Sequence, residues 1–257
     1  MIPYFHIPAL KILGPIAIQP FGVMVGFAVL FGVLLARRRC RTIGLSTEIF
    51  DKAVAWTLIS GFLLSHLSSE IFYFHKELLA NPQRLFDIRT GYSSFGGFFG
   101  AALGSSIILR REKVPYLLFA DSLIFGFVPA WIFGRMGCTI AFDHPGMPTS
   151  FFLGMMDATG VVRHNLGFEE MLLTIPLTVV LYALRNVRPF LGFHTALVML
   201  LYSSVRFPLD FLRLADETYL GLTPAQYASL AMFVLAVIMI VRGHKKLDPD
   251  ITPVKPV

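Results

Sequence analysis

Of the 257 residues in this chain, 55% are hydrophobic and only 15% charged, with a mean hydropathy of +0.68. A soluble domain carries about 25% charged residues, so composition excludes one and leaves an integral membrane protein. The net charge of +6 would suggest a nucleic-acid partner in a soluble chain; in a membrane chain it is read as topology, and no nucleic acid is expected.

A bilayer-spanning helix needs about 20 mostly apolar residues, and the chain has room for about seven with short connections. The first span is expected at about 20–36, closed by the run Arg37-Arg38-Arg39-Cys40-Arg41, and the second at 53–74. The third, at 95–109, is short and carries Gly96, Gly97, Gly100 and Gly104 three or four residues apart, the spacing of close helix packing. The fourth covers 116–134, with Asp121 inside it and Arg135 at its end. Spans at 168–184, 192–212 and 226–241 follow, and the sixth holds Arg206 and Asp210.

Lys and Arg fall unevenly between the alternate faces that these spans define, with 14 of the 22 on one of them. By the positive-inside bias that face is cytoplasmic. The expectation is an all-α membrane fold, with the N-terminus outside and the C-terminus in the cytoplasm. It forms a single polytopic domain over 1–257, with 243–257 as a disordered cytoplasmic tail. The longer loops, at about 75–94, 137–167 and 213–225, then face outward, and a site is expected near the outer leaflet. The N-terminus lacks the basic region and small-residue cleavage site of a signal peptide. Cys40 and Cys138 are placed on opposite faces, so no disulfide is expected.

Ionisable groups inside a span are costly and ask for a partner or a function. Arg206 and Asp210 stand four apart, on one helix face, and a self-neutralising ion pair is one complete reading of them. Arg135, in Gly134-Arg135-Met136-Gly137, lies on the face that the positive-inside bias disfavours. Arg135 and Arg206 together suit a lipid phosphate, whose oxygens match guanidinium donors in pairs. The seven histidines include no His-x-x-x-His pair on one helix, so neither a metal site nor a cofactor is expected. His144 and His164 stand out because Asp143 and Arg163 precede them in a polar loop.

The stretches "ILGPIAIQPFG", "SSFGGFFGA", "GRMGCTIAFDHPG", "RHNLGFEE" and "YSSVRFPLDFLR" together resemble the prolipoprotein diacylglyceryl transferase family, along nearly the whole chain. The family's seven-span, N-out topology is the one expected above. Asp121 stands where the family has an acidic residue. Arg135 matches the signature arginine used on the phosphatidylglycerol head group, and Gly146 the glycine that closes the signature. Tyr202, Arg206 and Asp210 match the Tyr, Arg and acidic positions of the sixth span, with Asp where Glu is usual. Arg163, His164 and Glu170 match a second outer motif. The chain departs from the family at Phe21, where it has Tyr; at Phe95, where it has His before the paired glycines; at Cys138, where it has Asn; and at His66, where it has Arg.

The resemblance implies a multi-pass enzyme of the bacterial cytoplasmic (inner) membrane. Its implied partners are phosphatidylglycerol and a prolipoprotein signal peptide with its lipobox cysteine. The diacylglyceryl group would pass to the cysteine thiol and glycerol 1-phosphate would leave. That chemistry needs a base or an electropositive setting for the thiol and fixed cations for the leaving phosphate. Arg135 and Arg206 are expected to supply the cations, Arg206 also acting in catalysis. Tyr202, Asp210, Gly146, Arg163 and Glu170 are expected to bind substrate. His144 with Asp143, then His164, then His66 are the candidates for the base. Cys138 is read as a small residue beside the arginine, since the attacking thiol is the substrate's. Two alternatives stay open: a divergent paralogue with a changed acceptor or lipid donor, and a non-catalytic phospholipid-binding membrane protein.

Overall fold

The computed structural model describes the whole chain except Tyr4, His6, Gly14, Pro15, 88–90, 215–217 and 246–257; the side chains of 11–13, 16, 94, 95 and 245 also lie outside the described residues. Each of the seven expected segments contains a long helix. In chain order these are α1 (Pro20–Thr42), α2 (Thr47–Phe72), α4 (Ser94–Arg111), α5 (Tyr116–Ala141), α6 (Leu166–Ala183), α7 (Phe193–Leu209) and α8 (Pro224–Lys245), with the short α3 (His75–Ala80) after α2. Five of them, α1, α5, α6, α7 with its 3-10 extension to Leu212, and α8, are long and apolar enough to cross a membrane. The chain is a membrane protein built of helices. The tail expected from 243 on begins inside α8; the remainder, 246–257, lies outside the described residues, as does the side chain of Phe95.

The chain divides into two compact units, one formed by Cys40–Phe119 and the other by Met1–Arg39 with Ala120–Val257. In the first, α2 packs against α4 along the glycine stripe. A Cβ on Gly100 would run into the Ser60 carbonyl, and one on Gly104 into that of Trp56; the stripe lets two backbones touch, as its spacing predicts. Ser60 and Ser65 of α2 donate hydrogen bonds to the carbonyls of Gly100 (2.7 Å) and Ser93 (2.8 Å). These bonds hold the pair together where apolar contact alone gives no preference over lipid. Glu70, fully buried, is matched by Arg84 at 3.0 Å, which holds the Arg84 guanidinium above its ordinary pKa through that hydrogen bond.

In the second unit Phe125 and Val128 of α5, Leu181 of α6 and Val198 of α7 form a buried apolar core. Pro129 cannot bond back to the carbonyl four residues earlier, that of Phe125. The hydroxyl of Tyr182 donates to that carbonyl at 2.8 Å, so the proline leaves no orphan inside the span. Asp121, near the start of α5, accepts hydrogen bonds from the Gly192 N–H (2.8 Å), the Thr195 N–H (2.9 Å) and the Thr195 hydroxyl (2.7 Å). It thereby caps the N-terminus of α7, where a negative charge also meets the helix dipole.

The polar ends carry two small sheets. The strands β1 (Leu10–Leu13) and β2 (Ile16–Ile18) form a hairpin that leads into α1. The loop between α5 and α6 folds into a sheet of order β3-β5-β4, with β3 (Pro145–Pro148), β4 (Met155–Met156) and β5 (Val162–Asn165).

Candidate active site

The fourth span does not end at Gly134. α5 continues for seven residues beyond it, through Arg135, Gly137 and Cys138 to Ala141, and the chain turns at Phe142, whose φ is +52°. The glycines around Arg135 are therefore helical, which corrects the span end expected at 134. The side chain of Asn165 bonds the Thr139 carbonyl at 3.2 Å and caps α6 by accepting from the Phe168 N–H. One residue thus ties the last turn of α5 to the first of α6, a constraint between distant positions that local glycine content cannot reveal. Arg135 is held inside the helix, its side chain 12% exposed.

Around it the expected residues converge. Glu170, in the second turn of α6, accepts from Arg135 Nη2 at 2.8 Å and lies 3.5 Å from Arg206 Nη1. The Tyr202 hydroxyl donates to the same carboxylate, and so does the indole N–H of Trp131, at 3.1 Å. Arg206 pairs in addition with Asp210 at 2.9 Å, so the four-apart ion pair is real but does not exhaust the arginine. Asp210 also receives the Thr223 hydroxyl and stands 4.0 Å from Arg213. Trp131, one turn before Arg135 and beneath its guanidinium at 4.7 Å, is missing from the sequence-based set; its only signal is that i, i+4 spacing. Arg135 Nε is buried with no hydrogen-bond partner among the described residues.

Glu170, Tyr202 and Arg206 form the polar end of a cleft of about 220 Å³ between α6 and α7. Leu173, Leu177, Val180, Val205 and Leu209 line the rest of it. Arg206 stands at the head of this apolar slot, and Arg135 reaches the same Glu170 carboxylate from outside the lining.

On the other side of Arg135, its Nη1 lies 3.9 Å from the Cys138 sulfur. Asp143 and His144 follow α5 in the chain, and His144 Nδ1 is 2.9 Å from the Asp143 carbonyl and 3.9 Å from its carboxylate. Burial pushes the His144 imidazole below its ordinary pKa; Asp143 opposes this, and Arg135 and Arg213 reinforce it. That direction favours the neutral ring, the form that can take a proton. Cys138, Asp143 and His144 supply the one group of three metal-ligating side chain types within reach of one another among the described residues. Cys40 and Cys138 are both buried and are not joined by a disulfide.

The remaining expected residues have other partners. Arg163 is bound to Asp157 at 2.7 Å, inside a turn where Asp157 also accepts from Thr159 and Val161. The Thr159 and Arg163 hydrogen bonds hold the Asp157 carboxyl well below its usual range. His164 Nδ1 is 2.5 Å from Glu169, and its ring stacks on Phe151; Glu169 too is absent from the sequence-based set. Gly146 sits where a Cβ would stand 2.7 Å from His164 Cβ and 2.8 Å from the Leu212 carbonyl, so only glycine lets β3 pass there. His66, in the other unit, lies with its ring nitrogens 3.1 and 3.4 Å from the carbonyls of Leu85 and Gly91. Phe21 lies against the α5 backbone, its ring 3.1 Å from where a Gly137 Cβ would stand.

Comparison with known proteins gives this arrangement a family. The family model described as prolipoprotein diacylglyceryl transferase matches residues 8–242. Among curated relatives, proteins named phosphatidylglycerol–prolipoprotein diacylglyceryl transferase come from several bacteria. The one from Aliarcobacter butzleri is 25% identical over 242 residues, covering 89% of this chain and 88% of its own. Those from Idiomarina loihiensis and Nitratidesulfovibrio vulgaris are each 28% identical, covering 95% and 93% of this chain and 97% and 95% of theirs. With the match running through every element of the site just described, the chain belongs to the prolipoprotein diacylglyceryl transferase family and is a membrane transferase of lipoprotein biosynthesis.

Proposed function

We propose that this protein transfers the diacylglyceryl group of phosphatidylglycerol to the lipobox cysteine of a prolipoprotein, releasing glycerol 1-phosphate. We read its seven long helices as seven spans of the bacterial cytoplasmic membrane, with the N-terminus outside and the site at the outer leaflet. The observation that carries the reading is the meeting of two part-buried arginines, Arg135 and Arg206, on one carboxylate, Glu170, which together with Arg206 stands at the head of an apolar cleft.

Arg135, Arg206 and Arg213 carry three positive charges, and Glu170 and Asp210 carry two negative ones. A phosphodiester brings the sum to zero. Its oxygens meet the unpartnered Nε edge of Arg135 and the face of Arg206 turned toward Glu170, while acyl carbons occupy the cleft. As the carbon–oxygen bond breaks, charge grows on the departing phosphate, and guanidinium groups already fixed by Glu170, Tyr202 and Asp210 stabilise it without reorganising. Trp131 and Tyr202 hold Glu170 in place, so that both cations keep one separation. The acceptor thiol is activated on the side of Arg135 that bears Cys138, Asp143 and His144. His164, tied to Glu169, orders the neighbouring loop.

The test is gel-shift lipidation of a lipobox peptide by purified protein in phosphatidylglycerol vesicles. Turnover by the wild type that is lost in Arg135→Ala and His144→Ala supports the proposal. Lipid binding with no turnover in the wild type replaces it with a non-catalytic lipid protein or with a changed acceptor or lipid donor, the last being the reading that the replacements at Phe21, Phe95 and Cys138 favour.

A further inference from the structure

The thiol, carboxylate and imidazole of the stretch Phe133–Gly146 come together in space. The Cys138 sulfur, a carboxylate oxygen of Asp143 and a ring nitrogen of His144 all lie within 4.8 Å of one another. In sequence the three are spaced as C-x-x-x-x-D-H, which matches no common metal motif; the turn at Phe142 folds the last two back toward the first. Zinc takes sulfur, nitrogen and oxygen donors at about 2.0–2.3 Å in a tetrahedron, so its ligands stand roughly 3.3–3.8 Å apart. The observed trio needs to draw in by about 1 Å at its widest to meet that geometry. Cys138 is buried in α5, but Asp143 and His144, at 40% and 31% side-chain exposure, lie beyond the helix end, where such a movement is easy.

We propose that Cys138, Asp143 and His144 bind a zinc ion whose fourth position receives the sulfur of the acceptor cysteine. The role of the acceptor rests on the transferase reading above; the binding of the metal does not. Three protein ligands with one open position is the pattern of zinc sites that act on substrates. A thiol that coordinates zinc is deprotonated outright, and its proton passes to water at the exposed rim formed by Asp143 and His144. The bound thiolate attacks the glyceryl carbon that bears the phosphate ester. The carbon–oxygen bond breaks, its electron pair leaves on glycerol 1-phosphate beside Arg135 and Arg206, and the neutral thioether dissociates from the metal. Zinc is unchanged in oxidation state throughout.

The charges permit the site. Thiolate and carboxylate ligands cancel the dication, and the nearest guanidinium, Arg135, already has Glu170 as its counter-ion at 2.8 Å. The proposal also joins two departures from the family pattern. Phe95 removes an imidazole available for proton transfer, and Cys138 adds a ligand that makes a base unnecessary.

Cobalt(II) is the probe. Titrated into the purified full-length protein in nanodiscs, it is expected to bind one per chain, with a thiolate-to-cobalt charge-transfer band that zinc abolishes. Cys138→Ser loses the band and Cys40→Ser keeps it. His144→Ala and Asp143→Asn, both beyond the end of α5, weaken cobalt binding at least ~10-fold. No band in the wild type, or an undiminished band in Cys138→Ser, overturns the proposal. Full lipidation by chelator-treated protein overturns the catalytic role of the metal. A cobalt band in a protein that lipidates nothing under any metal supports the site and removes the transferase reading instead.

Discussion

The two ends of α5 each bury a charge, and they treat it differently. Asp121 spends both carboxylate oxygens on three donors at the start of α7. Arg135, fourteen residues and roughly 21 Å of helix later, shares one carboxylate with Arg206, Tyr202 and Trp131 and keeps a buried Nε with no partner among the described residues. Both satisfy the rule that a charge in a span needs a reason. The lesson is that burial alone does not mark a functional group; what each charge is bonded to has to be read beside it. Asp121 joins helices, and in the proposed function Arg135 takes on the phosphate.

The largest effect that sharpens this contrast comes from Arg135→Ala. Turnover of the lipobox peptide should fall about 100- to 1,000-fold, the loss typical when one preorganised donor to a developing oxyanion is removed. Asp121→Asn should do the reverse. Its amide turns a donor toward donors, costing about 1–3 kcal/mol of stability, while turnover per folded molecule stays at the wild-type level. Equal losses of activity in the two variants would erase the distinction. Trp131→Phe keeps the ring under Arg135 but removes the N–H bonded to Glu170. A loss of about 1.5–3 kcal/mol is expected for a hydrogen bond to a charged group, seen as a weaker affinity for phosphatidylglycerol.

The smallest effect concerns the loop between α5 and α6 and depends on pH. The carboxyl of Asp157 is held below its ordinary pKa by Thr159 and Arg163. The stabilisation it gives is fully present above the ordinary aspartate value of about 3.9, and it is lost only as pH falls through the lower folded value. Amide exchange at Thr159 and Val161 should therefore stay slow well into acid in the wild type, and be fast at every pH in Asp157→Ala.

Much of this was legible in the sequence, for physical reasons that also set the limit. Long apolar runs located the helices, five of which are long and apolar enough to cross a membrane, because the bilayer demands about 20 such residues, and glycines three or four apart announced the contact of α2 with α4. The convergence of Arg135 and Arg206, seen in their common partner Glu170, was suggested by two costly cations that together suit one phosphate. What sequence spacing could not show is which distant residue satisfies which group. The helix carrying Arg135 runs on to Ala141 because Asn165, 26 residues after Thr139, takes the Thr139 carbonyl. Glu170 was visible as one residue of a motif, and only the packing of α6 against α5 and α7 makes it the shared partner of four side chains. The pairing of His164 with Glu169 and the gathering of Cys138, Asp143 and His144 depend likewise on turns that local composition does not specify.

The central claim is that Arg135 and Arg206 act as one phosphate-binding unit. A double-mutant cycle on phosphatidylglycerol affinity, with Arg135→Ala, Arg206→Ala and the pair, measures this directly. If the two guanidinium groups grip one phosphate, either single change removes most of the binding and the double variant is little worse, a coupling well above ~0.5 kcal/mol. Losses that simply add, or an affinity unmoved by both changes, would contradict it.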